Sequence, residues 1–246
     1  MTAVRRATLA PACIVFAPHP DDEVIACGGT ILARRAGGWR VQIVFATDGA
    51  QSHQAVLGIG EDPSPADLVV LRRAEALAAA ALLGVAAHEV SFAGAPDTRL
   101  CDALDRLRAH VDAVLAECAR LDEVYIPHER RELNADHRLT GQVVLERLAR
   151  TSLRPRVYKY VVWDESTESQ FGYRNRIGEA AALAPDEAVW SEPITPFIAA
   201  KRAALLAHRS QTSLIGGTQT RPVIPPAFLE RVCAAASEQF WLHPPI

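Results

Sequence analysis

The sequence of 246 residues predicts an α/β fold, a mainly parallel sheet with helices on both faces. Three observations predict it. Short, nearly continuous apolar runs such as Cys13–Ala17 (CIVFA) and Val41–Ala46 (VQIVFA) read as strands buried on both faces. They alternate with longer stretches of helical spacing joined by short connections, which implies right-handed crossovers. Each run also ends in a polar or Pro/Gly-bearing turn, at the edge where open parallel sheets bind ligands.

The elements follow in order. Cys13–Ala17 ends in Pro18-His19-Pro20, and a helix is expected from Asp22 to Ala36, stopped by Gly37-Gly38. Val41–Ala46 ends in Thr47-Asp48-Gly49. The stretch from Gln51 to Ala66 holds two glycines and two prolines and reads as a long loop, a length often kept for function. Asp67–Leu83 reads as a helix closed by Gly84, Glu89–Ala93 as a third strand and Leu104–Ala119 as a helix. Glu123–Pro127 is a fourth strand, Asp136–Ala149 a helix and Arg156–Trp163 a fifth strand. Beyond Asp164 the pattern loosens. Ser166–Ala184 is irregular, Pro185–Pro196 has room for one strand, Phe197–His208 reads as a helix, Ser213–Pro226 is a Gly/Pro-rich loop and Ala227–Trp241 a last helix. The whole is expected to be one domain, a Rossmann-like platform over residues 1–165 with a tail, 166–246, that caps its ligand edge.

Composition bounds the rest. Hydrophobic residues make up 49% and charged residues 22%, with a net charge of -3, which fits a globular chain able to bury a sizeable core. The absence of a basic excess argues against a general nucleic-acid binder. No apolar run is long enough to span a bilayer, and residues 1–11 lack the apolar core of a signal peptide. Five scattered cysteines without CxxC spacing read as free thiols of a reducing compartment, so the expectation is a cytoplasmic protein. Gly28-Gly29-Thr30 falls inside the first helix and is no dinucleotide fingerprint; close packing explains it better. No serine or cysteine has an evident base partner, which argues against nucleophilic catalysis.

The chemistry gathers in two segments. His19-Pro20-Asp21-Asp22-Glu23 sits at the carboxyl end of the first strand. Adjacent carboxylates beside an imidazole at a buried strand end repel one another and lose solvation, and a divalent cation would offset both. His19 and Asp22, three apart, can be aimed at one point, leaving Asp21 beside it to handle protons. The same residues could instead cap the helix, with His19 a hydrogen-bonded loop histidine. Asn134-Ala135-Asp136-His137 follows the fourth strand and belongs to the same edge. His137 could complete a His/His/Asp set with a fourth position left for water. Asp136 is then either a partner behind a ligand or an acid suited to a helix N-terminus.

Pro18-His19-Pro20-Asp21-Asp22-Glu23 resembles the signature of the PIG-L/LmbE-type zinc-dependent N-deacetylases. The likeness continues through Thr47-Asp48-Gly49, Arg73-Ala74-Glu75 leading to Leu83-Gly84-Val85, Pro96-Asp97, Asp136-His137-Arg138 and His208-Arg209-Ser210-Gln211. It implies a hydrolase that removes an N-acyl group, acetyl foremost, from an amino sugar or its conjugate. It implies zinc, or another divalent transition metal, on His19, Asp22 and His137, with Asp21 as general base and Arg73 and Asp97 as substrate contacts. The partner is then a small amino sugar, with no nucleic acid or membrane involved and a homo-oligomer left open. The family often has His where this chain has Asn134. An amide can donate a hydrogen bond to a developing oxyanion but supplies no proton, so the proton must come from Asp21 or another group. His208 is one substitute, and His53, in the long loop, could touch substrate. Two other readings stay open: a metal- and sugar-binding module without catalysis, and an amidase acting on a thiol conjugate.

Overall fold

A computed structural model describes residues 9–164 and 187–246. Its centre is a seven-stranded sheet in the order β3-β2-β1-β4-β5-β7-β6. The strands are β1 (Ala12–Ala17), β2 (Arg40–Thr47), β3 (Val90–Ala95), β4 (Glu123–Pro127), β5 (Arg156–Tyr160), β6 (Val189–Pro193) and β7 (Ser237–Leu242). β1 to β5 are parallel, with Cys13 of β1 paired to Val41 on one side and Glu123 on the other. β7 runs antiparallel to both β5 and β6. The strand order reverses between β1 and β4, and a crevice opens at such a switch point beyond the carboxyl ends of the strands.

β1 shows why the sheet is buried on both faces. Its alternate residues Cys13, Val15 and Ala17 enter one core, while Ile14 and Phe16 enter the other. The first core lies under α1 (Asp22–Ala36), α3 (Pro65–Leu82), α6 (Ile198–Ala207) and α8 (Pro226–Ala234). The second lies under α4 (Leu104–Ala116) and α5 (Ala135–Leu148). Two short helices, α2 (Ser52–Leu57) and α7 (Arg209–Thr212), are also present among the described residues. No helix among the described residues is long and apolar enough to cross a membrane.

Two expectations change. The stretch from Gln51 to Ala66 is not loop throughout, because α2 occupies its first half and Pro65 begins α3. The last helix stops at Ala234, and Ser237–Leu242 is a strand. The alanines at 234–236 extend the helical pattern past its end, whereas Glu238 and Phe240, two apart, both point inward. Phe240 packs edge-on against Tyr125 and Tyr158. The tail therefore widens the sheet as well as adding helices. The irregular stretch expected at 166–184 lies wholly within residues 165–186, outside those described. The paired glycines of α1 are there for close packing: a Cβ on Gly29 would lie 2.4 Å from the side chain of Ile194.

Candidate active site

β1 delivers its chain to the crevice at Pro18, and the turn that follows is strained. Asp21 stands at the N-cap position of α1 with φ 133° and ψ -29°, a region that costs a non-glycine residue on the order of 1–3 kcal/mol and clusters at functional sites. Its side chain makes no cap bond. Instead its own N–H donates to Glu23 Oε2 at 2.9 Å, while the N–H of His19 donates to Asp22 Oδ2 at 3.0 Å. Across the crevice Asn134 caps α5, its Oδ1 accepting from the N–H groups of Asp136 (2.9 Å) and His137 (3.4 Å). The cap fixes His137 in the first turn, wholly buried.

These two turns bring three donor atoms together. His19 Nδ1 lies 3.3 Å from Asp22 Oδ2 and 3.2 Å from His137 Nε2, and Asp22 Oδ2 lies 3.2 Å from His137 Nε2. Ligand atoms of a tetrahedral zinc about 2.0–2.1 Å from the ion sit roughly 3.3–3.4 Å apart. The triangle therefore fits one face of such a site, and these residues could hold a divalent transition metal.

The outer nitrogens are backed by carboxylates. His19 Nε2 faces Asp97 Oδ1 at 3.1 Å and Asp136 Oδ2 at 3.4 Å. Asp97 and Asp136 could form a second metal group with His19, but both already accept backbone N–H bonds, from Gln51 and from Thr98 and Leu100 respectively. They suit the role of orienting the ring. His137 Nδ1 lies 3.1 Å from Glu132 Oε1, and Glu132 accepts from the N–H groups of Val162 (2.6 Å) and Trp163 (3.0 Å). Burial disfavours the charge on both imidazoles, yet the carboxylates win: His137 is pushed up to about 9 and His19 well above the ordinary histidine value. Asp22 is held below the usual carboxylate range by the two rings in spite of its burial. Six buried carboxylates (Asp21, Asp22, Glu23, Asp97, Glu132, Asp136) face Arg72 and the imidazoles of His19, His137 and His208. Carboxylates outnumber the cationic groups that face them, which suits a divalent cation.

Beside the triangle, burial pushes Asp21 up to about 7, against the lowering pull of Arg72. Arg72 Nη2 reaches Asp21 Oδ2 at 3.1 Å and the carbonyl of Pro20, and Nη1 donates to the carbonyl of Gly49 at 2.8 Å. Gly49 has φ 67°, and a Cβ there would meet the guanidinium at 2.6 Å. The turn after β2 thus needs glycine for both conformation and space. Its neighbour Asp48 accepts the N–H of Asp97.

Arg73, the arginine expected in the site, lies outside it: it is exposed, with its guanidinium 4.1 Å from the ring centre of Phe92. Helix geometry is the reason. Leu68, Arg72, Ala76, Ala79 and Ala80 form the buried stripe of α3, and position 73 is turned about 100° away from position 72. That stripe is the signal that singles out Arg72. Glu132 was also missed, since a lone charged residue in a loop carries no local pattern that marks it as buried.

His208 is buried and bonded to Glu23 Oε1 at 2.9 Å; it does not line the cavity. Burial lowers its pKa but facing Glu23 and Asp21 raise it overall. His53 lies beneath the site, fully buried, its Nδ1 3.3 Å from Ser52 Oγ and its Nε2 without a partner. The His208–Gln211 segment ties down several neighbours: Ser210 bonds Glu75 through both N–H and Oγ, and Gln211 Nε2 donates to Ser52 Oγ. The cavity is open to solvent and is lined by His19, Asp21, Asp22, Arg72, Asp97 and Asn134 on its polar parts.

An α/β fold with a His/Asp triangle at its topological switch point defines a class of protein with a metal-capable crevice. More particularly, the chain belongs to the PIG-L family, whose model, described as GlcNAc-PI de-N-acetylase, matches residues 14–148. No curated protein matches the chain. Among solved structures it is similar to N,N'-diacetylchitobiose deacetylase from Pyrococcus horikoshii, at 23% identity over 95% of this chain and 84% of that one, TM-score 0.63. The zinc-inhibited form of teicoplanin deacetylase Orf2 aligns at 16% identity over 96% and 98%, TM-score 0.63. GalB, the 4-carboxy-2-hydroxymuconate hydratase from Pseudomonas putida, aligns at 21% over 97% and 98%, TM-score 0.59. At these identities the likeness is one of fold, and a hydratase among the neighbours means that fold alone does not select the reaction.

Proposed function

We propose that the protein is a metal-dependent N-deacylase acting on an amino sugar or its conjugate. The observation that carries this reading is the triangle of His19 Nδ1, Asp22 Oδ2 and His137 Nε2, each atom 3.2–3.3 Å from the next, with Asp21 beside it. His19, Asp22 and His137 would hold zinc or another divalent transition metal, which when bound polarises an amide carbonyl and makes water more acidic. Asp21 is the general base: Arg72 fixes its carboxylate, and a pKa near neutrality suits it to take a proton from the attacking water. The water oxygen joins the carbonyl carbon, the C–N bond breaks, and the proton passes from Asp21 to the leaving amine. Asn134 lines the cavity, and its side-chain amide is the candidate donor to the developing oxyanion. Asp97 binds a substrate hydroxyl, and Asp136 and Glu132 hold the two rings in place. Arg72 takes the position expected for Arg73. His208 positions Glu23, and His53 supports the loop.

Membership of the PIG-L family and the two sugar-related deacetylases among the neighbours support the reaction. Five cysteines that form no disulfide agree with a small-molecule enzyme of the cytoplasm. The test is release of acetate from N-acetylglucosamine during a metal titration, since one neighbour is described in a zinc-inhibited form. Turnover that needs metal, with both metal and turnover lost in His137→Ala, is the expected outcome. Binding of metal and sugar without turnover favours a binding module instead.

A further inference from the structure

The cavity beside the triangle has two chemically different walls. Asp97 and Thr98 follow β3, and Asn134 opens α5, so this wall is polar and belongs to the α4/α5 face of the sheet. The apolar lining includes Ile25, Val56, Val162, Trp163, Ile224 and Phe228. Val162, Ile224 and Phe228 are members of the other core, and Ile25 and Val56 pack against it. The cavity thus exposes the flank of a hydrophobic core. Ser52 and Gln211 interrupt it: Gln211 Nε2 donates to Ser52 Oγ, while Gln211 Oε1 is buried without a partner.

We propose that the acyl group removed by this enzyme is an aliphatic chain longer than acetyl, seated on that apolar wall. The proposal rests on the deacylase reading. An amide with its carbonyl at the triangle has two substituents. The hydroxyl-bearing amine side is complementary to Asp97 and Thr98, which leaves the acyl side to face the apolar wall. Val162, Ile224 and Phe228 are already buried, so the surface open to a chain is chiefly that of the half-buried Ile25, Val56 and Trp163, which an acetyl methyl covers only in part. A longer chain removes more of that surface from water, and each added methylene is worth about fourfold in binding.

The test compares glucosamine carrying N-acetyl, N-butanoyl or N-hexanoyl groups, scored by free amine released by the metal-loaded protein. The expected result is a kcat/KM about tenfold higher for butanoyl than for acetyl. In Ile25→Ser and Val56→Ser, at half-buried positions, the butanoyl-to-acetyl ratio falls at least threefold; a variant that is merely less stable lowers both rates and leaves the ratio alone. Calorimetry with Asp21→Asn should show the same chain-length order in binding, without turnover. Acetyl processed as fast as or faster than the longer chains overturns the proposal and leaves the deacylase reading intact. No turnover of any member overturns that reading, and the proposal falls with it.

Discussion

Two buried clusters of charge lean on the same helix, α1, and differ in how completely they are satisfied. In the middle of α1, Glu238 of β7 accepts from the N–H of Gly29, the N–H and hydroxyl of Thr30, and Lys201 Nζ, all within 2.8 Å. Lys201 also donates to the carbonyl of Ile25. One cation meets one anion, and the hydrogen bonds close. At the first turn of α1, six carboxylates outnumber the available cations, the backbone at Asp21 is strained, and two ring nitrogens face one carboxylate oxygen. The difference teaches how to separate a buried charge that organises the fold from one held for chemistry.

Breaking the closed cluster should produce the largest loss of stability. Glu238→Ala leaves Lys201 buried and unpaired, a cost of about 3–5 kcal/mol, measured by denaturant unfolding. Molecules that remain folded should still bind metal, because none of the triangle's atoms touches this pair. A smaller contrast comes from the two adjacent arginines. Arg72→Gln removes the charge that grips Asp21, Pro20 and Gly49, and should cost about 1–3 kcal/mol and at least tenfold in kcat/KM. Arg73→Gln removes an exposed contact with Phe92, worth about 0.5–1 kcal/mol, and should leave activity unchanged.

The smallest effect concerns His53. Burial, and secondarily Arg72, lower its pKa to about 4, below the ordinary 6.5. The unfolded chain therefore binds the proton more readily than the folded one. The stability that neutral His53 allows is complete above pH 6.5 and is lost as pH falls from about 6.5 to 4. His53→Gln should flatten the fall in unfolding free energy across that window, relative to the native sequence. An unchanged slope would mean that His53 is not held neutral by its surroundings.

The contrast between the clusters also explains what was legible in the sequence. The first five strands and the His19–Glu23 and Asn134–His137 segments could be read because each is local: an apolar run followed at once by the polar turn it supports. Lys201–Glu238 could not, since its partners lie 37 residues apart and neither position has a local pattern. The same holds for Glu132 behind His137, where a distant partner turns a lone charged loop residue into a buried one. The strand at Ser237–Leu242 was hidden by the alanines before it, which prolong a helical pattern. Arg72 was displaced by one position because a motif gives residue types, whereas the buried stripe of α3 gives the face.

The account depends most on the division of labour between the triangle and Asp21. The most direct measurement is metal content alongside single-substrate kinetics for Asp21→Asn, using whichever N-acylglucosamine the native protein hydrolyses. Loss of the general base should lower kcat by about 10²- to 10⁴-fold, with the metal bound one to one as in the native protein. Full activity in Asp21→Asn, or a native protein that hydrolyses its substrate equally well after every divalent metal has been removed, would contradict it.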